Sequence, residues 1–216
     1  MDLVIDTAPL CYTPNESWNL EVAPGHTYER ALAWTFEFLG AGQGRKLLVI
    51  GSPPAEAFAG RNRGWAVTYV DIRRVPPRHR VRLWQAGIKV KQENAMRLEE
   101  PDDSFDAVSS TCVLCHVGLG RYNDPVADDG DRRMLAELAR VIKPGGRIGL
   151  MAGPLAEQAA IQPNAEHRIT SWVRLVDILP PSLAWVATQV WAATDGWTYV
   201  WIGLYRWMDR ESVHGR

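Results

Sequence analysis

Five short strand-like runs, most of them separated by segments of helical periodicity, constrain this chain more than any other feature. They are KLLVIG from Lys46, AVTYVD over 66–71, IKVKQ over 88–92, FDAVSS over 105–110 and RIGLMAG from Arg147. A run of four to eight residues dominated by branched apolar side chains is what a strand covered on both faces requires. A short helix around Glu56 separates the first two runs, and a second helix near 79–85 separates the next pair. Between the last two lies a helix over 131–142, with Met134, Leu135, Leu138, Val141 and Ile142 on one face and Lys143-Pro144-Gly145-Gly146 as its stop. Strands joined by crossover helices imply an α/β fold. Its sheet is mostly parallel with helices on both faces, and ligands enter at the carboxyl ends of the strands.

The flanks differ from this core. Pro9, Pro14 and Pro24 break the first 25 residues into irregular chain, and a helix over 26–39 follows, with Tyr28, Leu32, Phe36 and Leu39 at helical spacing before Gly40. Near the other end, a helix over 171–178 precedes LAWVATQVWA, the turn Thr194-Asp195-Gly196 and WTYVWIGLYRW, the pattern of an antiparallel β-hairpin. The hairpin brings the expected sheet to about seven strands. Alternation places Trp197, Tyr199, Trp201, Tyr205 and Trp207 on one side of the last strand. That face needs cover, either from the domain's own helices or from a second subunit in a homodimer.

At 216 residues the chain suits one domain. We divide it into an N-terminal segment and helix (1–45), a core (46–152) and a substrate-side segment with the hairpin (153–216). With 24 Lys plus Arg against 25 Asp plus Glu, the net charge of −1 gives no electrostatic case for nucleic acid or an anionic membrane. The basic run from Arg73 to Arg82 reads as a solvated helix face. No stretch reaches the roughly 20 apolar residues of a membrane span, and the first residues lack the basic and apolar regions of a secretory signal. Three cysteines do not make a disulfide framework, so a cytoplasmic protein is expected.

Chemistry belongs in the loops at the strand ends. The loop after the first run is Gly51-Ser52-Pro53-Pro54, with one glycine where a nucleoside-binding turn usually has several. Asp71 closes the second run, where a carboxylate can accept hydrogen bonds from both hydroxyls of a ribose. CVLCH, which opens the loop after the fourth run, matches the pattern of a c-type haem site or half of a zinc site. Haem attachment belongs to exported proteins, and zinc would need more ligands than Cys11 and scattered histidines supply. Cys112 and Cys115 are therefore read as packing residues, and no metal is expected.

Residues 94–117, NAMRLEEPDDSFDAVSSTCVLCHV, together with LAELARVIKPGGRIGL at 135–150, closely resemble the central and late motifs of class I S-adenosylmethionine-dependent methyltransferases. The match includes Ala95, Leu98, Ser104, Phe105, Asp106, Val108, Val113, Leu114, His116, Leu138, Arg140, Val141 and Lys143-Pro144-Gly145-Gly146. HVGLGRYNDP and the later NAEHRIT resemble a narrower branch carrying H-x-G-L-G-R-Y-x-D-P.

The resemblance implies a Rossmann-like methyltransferase fold, S-adenosylmethionine as cofactor and methyl transfer to a small polar acceptor such as a sugar or another hydroxylated metabolite. It places Gly51 and Ser52 under the methionine part of the cofactor, Asp71 at the ribose, Asn94, Ala95 and Met96 at the adenine, and Ser110 on the methionine side. His116 is the first choice of general base and Asp124 the second. Arg121, Tyr122 and Arg168 are the expected substrate contacts. Two departures, the Ser-Pro-Pro loop and Val49 in place of an acidic residue, define the alternative: a methyltransferase-like binding or scaffold protein without turnover.

Overall fold

The computed structural model describes residues 27–51, 53–161, 167–193 and 196–208. The proline-broken segment 1–25, Ser52, Asn164 and Thr194-Asp195 lie outside them. Helix α1 (Thr27–Leu39) precedes β1 (Lys46–Ile50), α2 (Pro54–Asn62), β2 (Ala66–Asp71), α3 (Pro77–Gln85), β3 (Lys89–Gln92), β4 (Phe105–Thr111) and α4 (Gly130–Val141). Then come β5 (Ile142–Pro154), β6 (Ala160–Ile161), β7 (Arg168–Ile169), α5 (Trp172–Ile178), β8 (Leu183–Ala192) and β9 (Thr198–Arg206).

Seven strands form one sheet in the order β3-β2-β1-β4-β5-β9-β8, and β6 pairs with β7 apart from it. The pairs β1·β2, β2·β3, β1·β4 and β4·β5 are parallel, whereas β5·β9 and β8·β9 are antiparallel. This is the Rossmann-like sheet the alternating runs imply. Proline sets where two helices begin: Pro53 and Pro76 are the N-cap residues of α2 and α3, and each helix starts on a further proline. A proline there loses an N–H that would have no partner in any case, so α3 starts two residues earlier than its periodicity predicts. The short β6–β7 hairpin was not foreseen, because two-residue strands carry no periodic signal.

Strand alternation divides the core between the two faces. Leu48, Ile50, Val108, Ile148 and Leu150 point toward Met134, Leu135 and Leu138 of α4 and Leu175 and Ile178 of α5. Leu47, Val49, Val67 and Tyr69 face Leu32 and Phe36 of α1 and Leu83 of α3. The aromatic face of β9 is covered from within the chain. Tyr199 and Trp201 are buried with Ala31 of α1, and the Trp201 indole donates to the Thr35 hydroxyl at 2.8 Å. Trp207, beyond the strand, is exposed. No helix among the described residues is long and apolar enough to cross a membrane.

Candidate functional site

Strand order reverses direction at β1: β2 continues one way and β4 the other. The crossovers on either side of such a reversal leave by opposite faces, and a crevice opens at the carboxyl ends of the strands. Here that crevice is a cleft of about 920 Å³, its open mouth included. Ile50 and Gly51 line it from the end of β1, Asp71 from β2, Asn94 and Ala95 from the chain after β3, and Cys112, Val113 and His116 from the chain after β4. Tyr28, Arg73, Arg121, Tyr122, Asp124, His167 and Tyr199 are among the other residues of the wall.

Most of the residues singled out in the sequence therefore meet. Gly51, Asp71, Asn94, Ala95, His116, Arg121, Tyr122 and Asp124 share the cleft; Met96, Ser110 and Arg168 do not line it. Met96 packs against the core, and the Ser110 hydroxyl turns to the Ile50 carbonyl at 3.4 Å. Arg168 is buried, 3.6 Å from the Asp131 carboxylate.

The loop after β1 is shaped by steric fit. Gly51 has a φ of 58°, and its amide donates to Val70. A Cβ there would press on the Val113 side chain at 3.1 Å, so one glycine suffices to let chain pass close to the β4 loop. Beneath the loop sits Glu56, fully buried on the first turn of α2, which accepts from the hydroxyls of Ser109 and, at 3.0 Å, Thr111. The family resemblance places an acid where this chain has Val49. The structure brings one in from the following helix, one turn past the loop, where strand-end spacing gives no sign of it.

Asp71 is 2% exposed and fully engaged. Its Oδ1 accepts from the Arg73 amide (2.8 Å) and Arg73 Nε (3.0 Å); its Oδ2 accepts from Arg73 Nη2 (2.7 Å) and the Tyr69 hydroxyl (3.2 Å). Burial, followed by the charge of Asp71, pushes the Tyr69 phenol well above its ordinary range, so Tyr69 stays a donor. The Arg73 guanidinium also lies over the Tyr122 ring at 4.8 Å. Asn94 accepts from the Met96 amide at 2.9 Å, which leaves a second lone pair on Oδ1 and two N–H groups for a ligand.

Across the cleft, Asp124 braces its loop: its oxygens accept from the amides of Gly118 at 2.6 Å and Tyr122 at 3.3 Å. The Gly-Leu-Gly of this segment serves packing. Gly118 has φ 79°, and a Cβ there would stand 2.4 Å from the Ala127 carbonyl oxygen and 3.0 Å from Gly130, where α4 begins. The His116 ring lies edge-on to Tyr122 (centroids 5.7 Å apart) and 4.6 Å from the ring of His167, a neighbour from a distant segment that sequence spacing does not reveal.

Cys112, in the left-handed region at φ 60°, brings its sulfur to 3.9 Å from that of Cys115. The hydrogen bond between the two sulfurs, with His116 and Arg121, holds Cys112 well below the ordinary thiol range against the opposing effect of burial. The same hydrogen bond and burial raise Cys115.

With this geometry established, comparison with known proteins assigns the family. The profile of the family described as "Methyltransferase domain" matches residues 39–150, just over half of the chain. The chain belongs to the methyltransferase domain family. A demethylmenaquinone methyltransferase of Lactobacillus johnsonii is 39% identical over 67 residues, a stretch covering 31% of this chain and 23% of that protein. Among solved structures, a 1,6-didemethyltoxoflavin-N1-methyltransferase from Burkholderia thailandensis, with S-adenosylhomocysteine bound, superposes with a TM-score of 0.68 at 18% identity. That match covers 83% of this chain and 77% of that one. A geranyl diphosphate C-methyltransferase from Streptomyces coelicolor A3(2) gives 0.65 at 16% identity, covering 83% and 79%. At these identities the structural likeness establishes a shared fold.

The cofactor of this methyltransferase class is S-adenosylmethionine. The cleft fits a nucleoside in two respects: a buried carboxylate at the end of β2 and an amide side chain with spare hydrogen-bonding capacity after β3. One condition attaches to the fit. A carboxylate has about four acceptor positions, and Arg73 and Tyr69 fill four at Asp71, so a ribose hydroxyl must displace one of them.

Proposed function

We propose that this protein transfers a methyl group from S-adenosylmethionine to a small polar acceptor, such as a sugar or another hydroxylated metabolite. The observation that carries the reading is the convergence of Asp71, Gly51 and Asn94 on the same cleft as His116. In this reading Gly51 and Ser52 pass under the methionine portion and Asp71 holds the ribose. Asn94 and Ala95 frame the adenine with Met96 packed behind them, and Ser110 supports the methionine side from beneath the wall. The acceptor lies by Arg121 and Tyr122, with Arg168 behind them.

Methyl transfer asks little chemistry of the protein. The nucleophile must be held in line with the methyl–sulfur bond, and a hydroxyl acceptor needs a group to take its proton. His116, on the cleft wall, is that group in our reading; Asp124, whose oxygens hold the loop, is the second choice. Calorimetric titration with S-adenosylhomocysteine is the test, with micromolar binding expected in the wild type and loss of binding in Asp71→Ala. An absence of binding at millimolar ligand would overturn the methyltransferase reading in favour of a scaffold. Once an acceptor is in hand, His116→Gln should lower kcat about 100-fold or more while S-adenosylhomocysteine binding is retained.

A further inference from the structure

The methyl-transfer reading leaves the cysteine pair on the cleft wall unused. Cys112, Cys115 and His116 are the one group among the described residues whose potential metal donors cluster, with the two sulfurs and a ring nitrogen all within 4.8 Å of one another. The cluster is built by the backbone. The amide of His116 donates to the carbonyl of Val113 at 2.8 Å, closing a tight turn, and the left-handed Cys112 folds its side chain back over that turn. Gly153 makes room behind: a Cβ there would stand 2.5 Å from the Cβ of Cys115. The Cys115 carbonyl is tied to the amide of Arg168 at 2.6 Å, which fixes the turn against β7.

We propose that Cys112, Cys115 and His116 form a binding site for a thiophilic d¹⁰ cation, Zn²⁺ in the first instance, with its fourth position open to the cleft. The separation of the two sulfurs is the first argument. Around a tetrahedral zinc with Zn–S bonds of 2.3 Å, two thiolates lie about 3.8 Å apart; here they are 3.9 Å apart. The donor set is the second, since thiolates with an imidazole select soft or borderline cations over Mg²⁺ or Ca²⁺. The direction of the open side is the third. Cys112 and His116 line the cleft whereas Cys115 stands behind them, so a cation held by all three faces the cavity. Three protein ligands with one open position characterise reactive zinc sites, in contrast to closed structural ones.

This placement keeps the methyl-transfer reading, on which its second half rests, and names for the metal-loaded protein a different small polar acceptor in place of a hydroxyl: a thiol, whose sulfur completes the tetrahedron. Coordination releases the thiol proton to solvent and leaves a thiolate. The thiolate lone pair forms the new carbon–sulfur bond as the methyl–sulfonium bond of the cofactor breaks. The electron pair of that bond returns to the cofactor sulfur, giving S-adenosylhomocysteine. In the loaded protein His116 acts as a ligand, and its role as proton acceptor belongs to the metal-free protein.

Cobalt(II) titrated anaerobically into the reduced, metal-stripped full chain tests the site without reference to turnover. One equivalent should give the intense visible bands of tetrahedral cobalt and a thiolate charge-transfer band. Cys112→Ser and Cys115→Ser should each weaken binding at least about 100-fold and His116→Gln at least about tenfold, given that even outer-shell changes reach 10–100-fold. Circular dichroism checks that each variant folds, and Cys112→Ser, at the cleft wall, decides if Cys115→Ser does not. Adding 2-mercaptoethanol to the cobalt form should strengthen the charge-transfer band saturably. An octahedral spectrum, or equal cobalt affinity in wild type and Cys112→Ser, overturns the metal site. A tetrahedral spectrum unmoved by 2-mercaptoethanol overturns the open position and the thiol acceptor. S-adenosylhomocysteine calorimetry on the metal-free protein is independent of all of these; its failure removes the methyl-transfer reading and the thiol acceptor that rests on it, and leaves the metal site to the cobalt spectra.

Discussion

At Asp71 the competing effects can be weighed residue by residue. Its carboxylate is buried and four donors saturate it, three of them from Arg73. An ion pair reinforced by bidentate hydrogen bonds at this depth is stronger than the hydrogen bond that an uncharged ribose hydroxyl donates to the same carboxylate. The ligand therefore works against Arg73. Replacing Arg73 with Met removes the guanidinium and keeps most of the stem, so two acceptor positions open to the ligand. We expect Arg73→Met to tighten S-adenosylhomocysteine binding about fivefold to tenfold by calorimetry, on the order of 1 kcal/mol, the net contribution of one typical hydrogen bond. The metal-free, ligand-free protein should lose thermal stability in the same variant, because a buried carboxylate is left short of partners. Weakened binding would show that Arg73 holds the ligand. The strand-end position of Asp71 was legible in the sequence, since a fixed spacing from Gly51 marks it. Its saturation was not, because Arg73 belongs to a run of basic residues whose average behaviour is to face solvent. Glu56 escaped notice for a related reason: a glutamate in a first helical turn is ordinary, and only the sheet packed over it makes this one exceptional.

Between elements, a buried carboxylate links the substrate-side segment to the core. Asp131, in the first turn of α4, is 1% exposed; it accepts from Arg174 of α5 at 2.7 and 3.0 Å and lies 3.6 Å from Arg168 of β7. Removing one member of a buried charge network costs about 3–5 kcal/mol, because the remaining charges lose their counterion while still out of water. Asp131→Ala should therefore lower the melting temperature by roughly 6–20 °C, at the 2–4 °C per kcal/mol typical of this size. Asp177→Ala, which breaks the exposed pair with Arg132, should shift it by no more than about 2 °C. Equal shifts in the two would show that α5 does not depend on Asp131. The elements themselves were readable because each rests on a local pattern: after the exposed Lys46, residues 47–50 are apolar and lie buried between two helical layers, and α4 repeats its apolar residues at helical spacing. What joins them was not. The close pass of Gly118 over Gly130 and the contact of His116 with His167 depend on how the chain returns, and no local pattern encodes that.

For the molecule as a whole, the cleft lies where the two halves of the sheet diverge, lined by the ends of β1 and β2, the chain after β3 and β4, and β9 through Tyr199. A ligand there contacts segments that otherwise communicate only through the sheet, and the parallel core is a continuous hydrogen-bonded unit with the hairpin. Local opening of the cleft and global unfolding should then both be opposed by ligand binding. A ligand that binds only the folded state stabilises it by RT ln(1 + [L]/Kd), about 2.7 kcal/mol at 100 times Kd. For a chain of this size that corresponds to a rise of about 5–10 °C in melting temperature. We expect this rise with S-adenosylhomocysteine in wild type, a larger one in Arg73→Met at the same concentration, and none in Asp71→Ala. Zinc supplied at one equivalent should add a further rise that Asp71→Ala retains and Cys112→Ser loses, since the two sites share the cleft but no ligand residue. A nucleoside effect that survived Asp71→Ala would place the ligand elsewhere and remove the argument from strand order on which the site is built.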